Sequence, residues 1–200
     1  MTTDTGVTDG RSARSARTRQ AVVRALLDLI AAGELRPTAR RVADKAGISL
    51  RSVYVHFEDL EDLFLAAAHE QMLLVASLAR SVPADGPFED RVVAYADQRC
   101  AILEAAAPVR RAADLQEPFS PTLSHLLDFA RRAAREELSR VFEPELSVLE
   151  AHVRRRRLAA LDATASSSAW RVLRVANGLG VDESRQAVCE AITALLGRHA

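Results

Sequence analysis

The stretch Thr38–Leu63, TARRVADKAGISLRSVYVHFEDLEDL, decides how this chain is read. Pro37 and Thr38 open a helix, with Thr38 as N-cap, that ends at Ala46. Gly47 supplies the positive φ of a tight turn, and Ser49 caps a second short helix through His56. Ala43 is small enough to let the two helices cross closely. Ile48 and Val53 fill the gap between them, with Val42 and Ala46 opposite. Two helices joined by so tight a turn form a helix-turn-helix, whose second helix has its N-terminus free to enter a major groove.

Outward from this stretch, every segment reads as helix. A first helix spans about Thr18–Ala32, with Val22, Leu26, Leu29 and Ile30 on one face and Gly33 at its C-cap. A long helix from about Asp59 to Arg80 repeats apolar residues at helical spacing. Further helices are expected over Phe88–Ala106, a short piece between Pro108 and Pro118, Pro121–Phe142, 146–164, 166–177 and Glu183–Leu196. Residues 1–16 are polar and small and read as a disordered basic arm. No internal repeat and no strand candidate is found. Ala, Leu and Arg contribute 37, 25 and 26 of the 200 residues, and aromatics only 9, a balance that favours helix over sheet.

The formal net charge is zero, but it is unevenly spread. Residues 10–57 hold nine Arg and Lys45 against Asp28, Glu34 and Asp44, a surplus of +7, and the rest of the chain carries −7. A basic N-terminal quarter on an acidic body suits a polyanion-binding module joined to something else. No apolar run reaches membrane-spanning length, no secretory h-region opens the chain, and a cytoplasmic protein is expected. Cys100 and Cys189 are far apart in sequence, make no metal-ligand pattern, and suit small buried apolar roles. No cofactor or metal is expected. Ser166-Ser167-Ser168 lacks nucleophile-elbow glycines, and no phosphate-cradling glycine loop exists, so no catalytic residues are assigned.

The pattern Ala43-x-x-x-Gly47-Ile48-Ser49-x4-Tyr54-x-His56-Phe57, with an acidic residue and Leu63 beyond, resembles the DNA-binding region of tetracycline-repressor-type (TetR) regulators over residues 18–64. The resemblance implies an all-α protein: a helix-turn-helix domain at 17–58, joined by a long helix to a helical effector-binding and dimerisation domain at 59–200. It implies double-stranded operator DNA as partner, a homodimer, and an unknown small-molecule effector that releases a repressor. Leu50, Arg51 and Ser52, with Ser49 as cap, stand where bases would be read, Arg51 against guanine and Leu50 against a thymine methyl. Thr38, Arg40, Tyr54 and His56 would contact the phosphate backbone. Phe57 reads as core. Arg11, Arg14, Arg17 and Arg19 either reach DNA or merely solubilise the arm.

The chain departs from the family at Leu60, where a phosphate-binding Lys is usual; here the segment Glu58–Asp62 is acidic or apolar. For the effector, the candidates are Gln71, Arg99 beside Tyr95 and His125 beside Phe129, polar groups among apolar faces, with Phe119 and Trp170 as pocket walls. For the dimer, they are Trp170, Leu173, Ala187, Val188, Ala191, Ile192 and Leu195; the alternative is that these stripes pack inward. Arg154–Arg157 read as an acid-paired, solvated helix surface. Two other functions stay open: a regulator without small-molecule effector, switched by a protein or constitutive, and a helical enzyme or interaction module.

Overall fold

A computed structural model describes residues 6–197, which hold helices and no strand. They are α1 Gly6–Ala31, α2 Ala39–Ala46, α3 Leu50–His56, α4 Leu60–Leu78, α5 Phe88–Gln116, α6 Pro121–Val141, α7 Glu143–Ser147, α8 Ala151–Thr164, α9 Ser167–Arg171 and α10 Val181–Leu196. A single 3₁₀ turn, Glu117–Phe119, separates α5 from α6, and a π turn, Val172–Ala176, follows α9.

The chain forms two compact units, each assembled from two separate stretches. The first takes residues through Met72 and adds Arg111–Leu123; the second takes Leu73–Arg110 and Ser124 onward. Helices α4 and α5 each contribute residues to both units. The core of the first unit joins Val22, Leu26 and Ile30 of α1 to Val42 and Ala43 of α2, Val53 of α3, Phe57, and Leu63 of α4. Ala112, from the far end of α5, completes it. The core of the second unit gathers Tyr95, Cys100 and Leu103 of α5, Leu138 of α6, Phe142, Leu146 of α7, Leu161 of α8, Trp170 of α9, and Val188 and Ile192 of α10.

Several boundaries differ from those read in the sequence. The segment expected as a disordered arm is helical from Gly6, because α1 extends back through it. Helix α5 runs through Pro108 instead of ending there. A proline inside a helix forfeits one backbone hydrogen bond. One turn earlier, the Glu104 carboxylate accepts from Trp170 Nε1 at 2.8 Å and from Arg174 at 3.0 and 3.1 Å, which fixes that stretch from outside. The single helix expected over 166–177 divides into α9 and the π turn, closed by Asn177 N donating to Val172 O at 2.9 Å.

One ion pair in the second unit was not legible as such. The Arg91 guanidinium is buried, donates to Val141 O at 2.6 Å and to Gly86 O at 3.3 Å, and pairs with both oxygens of Glu145. It also lies 5.8 and 6.0 Å from the ring centroids of Phe88 and Phe142. A buried charge survives only with such full pairing.

Candidate nucleic-acid interface

The geometry of the turn follows from its residues. Thr38 is extended and its hydroxyl accepts from Arg41 N at 3.2 Å, capping α2. Gly47 takes φ +68° in the left-handed region and ends α2, with its N–H bonded to Ala43 O and Asp44 O. Ser49 caps α3 by accepting from Ser52 N at 3.1 Å. Val53 is buried and Ile48 half-buried against the same core, filling the crossing of the two helices as their positions require.

The outward face of α3 is Arg51, Tyr54 and Val55, an i, i+3, i+4 set. Arg51 is exposed and makes no hydrogen bond or ion pair among the described residues. Tyr54 is 52 % exposed and Val55 72 %. Val55 was missed in the sequence, where it looks like one more apolar residue of a core helix. The signal lay in its spacing: it sits two positions from buried Val53 and four from Arg51. Leu50, assigned to base contact, is half-buried against the core, and Ser52 is half-buried with its hydroxyl 2.8 Å from that of Ser49. Of the first-turn residues only Arg51 is fully presented.

Around α3 the surface is basic. Arg40 and Lys45 of α2 are exposed, as are Arg14 and Arg17 on α1. The Arg11 side chain lies outside the described residues. Arg19 is exposed but its guanidinium stacks over the Phe57 ring at 4.7 Å, and Arg41 pairs with Glu34 at 3.2 Å. Phe57 itself is core. His56 is half-buried at the end of α3.

The Leu60 departure has a local physical reason. Asp59 Oδ1 accepts from Asp62 N at 2.8 Å, and Asp62 Oδ2 from Glu58 N at 3.3 Å, so the acids cap α4. Leu60 is half-buried against the unit's core. It also borders two adjoining surface recesses of about 110 and 280 Å³ that share Leu60, Phe64, Gln116 and Phe119. Phe119, proposed from sequence as a pocket wall, belongs here and is 76 % exposed.

The other effector candidates differ in exposure and in the unit to which they belong. Gln71 belongs to the first unit. His125 and Phe129 are exposed on α6. Tyr95 and Trp170 are buried in the core of the second unit, Tyr95 edge-on to Phe142 at 5.4 Å. Tyr95 and Arg99 stand one turn apart on α5, as His125 and Phe129 do on α6. Of the dimer candidates, Trp170, Val188 and Ile192 are buried by their own chain, and Leu173, Ala187, Ala191 and Leu195 are half-buried. A stripe of apolar residues has the same periodicity whether it faces a core or a partner. The exposed apolar residues of this region are Val172, Val175 and Val181.

Two further arginines and a buried cysteine are tied into the second unit. Arg154 pairs with Glu143 at 2.8 Å, and Arg157 donates to Leu195 O at 2.6 Å near the end of α10. Burial pushes the Cys100 thiol up to about 12, so it stays protonated and inert. No group of His, Cys, Asp and Glu among the described residues is placed to hold a metal, and no described helix is long and apolar enough to cross a membrane.

The fold has close counterparts among solved structures. A transcriptional regulator from a Rhodococcus species matches with a TM-score of 0.67 at 20 % identity, over 89 % of this chain and 95 % of that one. A TetR-family transcriptional regulator from Streptomyces coelicolor matches with a TM-score of 0.66 at 22 % identity, over 90 % and 80 %. No family model and no curated protein sequence matches the chain.

Proposed function

We propose that this chain, having the fold of TetR-type regulators, is a sequence-specific DNA-binding transcriptional regulator rather than an enzyme. The observation that carries the reading is α3: a capped helix of a helix-turn-helix whose free face offers Arg51, Tyr54 and Val55, flanked by exposed cations of α1 and α2. In this reading Arg51 donates to a guanine edge and Val55 meets a thymine methyl. Tyr54, Thr38, Arg40 and Lys45 hold phosphates, and His56 supports them from the end of α3.

A palindromic operator requires two recognition helices one DNA turn apart, hence a homodimer. Exposed Val172, Val175 and Val181 form the centre of the proposed interface, with half-buried Ala187, Ala191 and Leu195 as its inner margin. Without ligand the dimer represses. A small molecule that binds the second unit more tightly in another conformation lowers operator affinity, and only a differential affinity produces that shift.

The test is to incubate the purified protein with sheared genomic DNA at near-physiological salt, recover the bound fragments and sequence them. Enrichment of a pseudo-palindrome is the expected result. No enrichment from a folded dimer overturns the reading in favour of a helical interaction module.

A further inference from the structure

Among the arginines that tie the second unit together, Arg99 and Arg157 each hold a backbone carbonyl instead of a carboxylate. Arg91, Arg140 and Arg174 each grip a carboxylate: Glu145, Glu137 and Glu104 respectively. Arg99 is half-buried, and its one hydrogen bond runs from Nε to Ala165 O at 2.8 Å, at the C-cap of α8. That bond explains one edge of the guanidinium. Its two terminal amino groups have no acceptor among the described residues. The carboxylate whose field reaches Arg99, Asp162, already pairs with Arg135 at 3.2 Å. Burial lowers the Arg99 pKa, and the fields of Tyr95 and Asp162 act against that shift.

Tyr95 lies one turn earlier on the same helix, near enough for its charge and that of Arg99 to interact. Its ring is buried against Phe142, and its hydroxyl has no hydrogen-bond partner among the described residues. Burial pushes the phenol up to about 12, so at neutral pH it is a donor. The second unit thus holds two amino groups and one hydroxyl, all donors, on one turn of α5, beside its apolar core and within the fields of Asp162 and Glu137. A carboxylate has the complementary charge, and guanidinium–carboxylate pairing is the strongest common polar match.

We propose that Arg99 and Tyr95 form an acid-recognition site, and that the effector is a small organic acid with an apolar body. This rests on the reading of the chain as an effector-controlled regulator and names its ligand class. The carboxylate takes the free edge of Arg99 and accepts from the Tyr95 hydroxyl, and the apolar body packs into the surrounding aliphatic and aromatic side chains.

The probes are octanoate and benzoate, with 1-octanol and benzyl alcohol as neutral counterparts, titrated into the full chain by calorimetry and by thermal unfolding. At least one acid is expected to bind and raise Tm, with its alcohol at least tenfold weaker. Arg99→Gln is expected to weaken acid binding ten- to a hundredfold, and Tyr95→Phe about threefold. If Arg99→Gln fails to fold for want of the α8 cap, Arg99→Lys, which keeps the charge but loses the fork, and Tyr95→Phe carry the test by their lowered acid affinity. Equal binding of acid and alcohol, unchanged affinity in the folded variants, or no binding of either acid overturns the proposal. Genomic-fragment recovery by the ligand-free protein is scored separately. Enrichment with a failed acid titration removes the acid site alone, and acid binding without enrichment removes the regulator reading alone.

Discussion

Arg51 and Gly47 show how single residues divide the work of the turn. Arg51 has no partner among the described residues, so truncating it costs the fold nothing and, in the proposed reading, removes a bidentate base contact. Arg51→Ala is expected to weaken binding to the recovered operator about 10- to 100-fold, with Tm unchanged, measured by fluorescence anisotropy against matched and scrambled DNA. Equal loss on both DNAs would assign Arg51 to phosphate instead. Gly47 behaves oppositely. At φ +68° a Cβ meets no neighbouring atom but is conformationally strained, so Gly47→Ala is expected to cost about 1 kcal/mol in urea unfolding. Gly47, Thr38 and Ser49 were legible because each role follows from one residue's local chemistry. Val55 and Leu50 were not, because the same aliphatic side chain serves a core and a DNA-facing position.

At the scale of elements, most helix starts and ends were read closely, while the start of α1 and the passage of α5 through Pro108 were missed. Caps are local hydrogen bonds written in Thr, Ser and Asp, whereas continuation through Pro108 is decided by ties to Trp170 and Arg174, distant in sequence. The stripe on α10 is ambiguous for a related reason, since burial within the chain and between chains reward the same pattern. Helix α4 offers the sharpest test. Leu60 stands at its first residue, and the aspartates beside it are consumed in capping. Leu60→Lys is expected to strengthen operator binding several-fold at low salt and to steepen the log–log salt slope by about 0.9, the signature of one added phosphate contact. An unchanged slope would place this helix end away from the backbone. The half-burial of Leu60 against the core implies a small loss of stability in the same variant.

For the whole molecule, the all-α architecture was legible from composition and periodicity, but the partition into units was not. It depends on which distant helices share a core. Glu104 joins α5 to α9 and to the π turn, and its hydrogen bonds from Arg174 and Trp170 hold its carboxyl below the ordinary value of 4.5. A folded pKa below the unfolded one stabilises above the unfolded value, and that stability is lost as pH falls through the folded value. Trp170 is the single tryptophan, so its emission reports this event directly. Acid titration is expected to change its fluorescence with a midpoint below 4.5, and Glu104→Gln to abolish that transition. A midpoint at or above 4.5 would mean the carboxylate is not held by this pair.

The placement of Ala112 in the core built by α1 to α4 governs how the protein is made. Synthesis is vectorial, at about 5–20 residues per second, and domains usually fold as they emerge. Here the N-terminal module waits, its apolar faces partly uncovered, until the segment ending at Leu123 has left the ribosome, by which time the first helix of the other unit is already out. Translation is therefore expected to release no finished N-terminal module early. A ribosome-bound chain stalled with residues 1–72 exposed should remain protease-sensitive, and one exposing residues 1–123 should be protected.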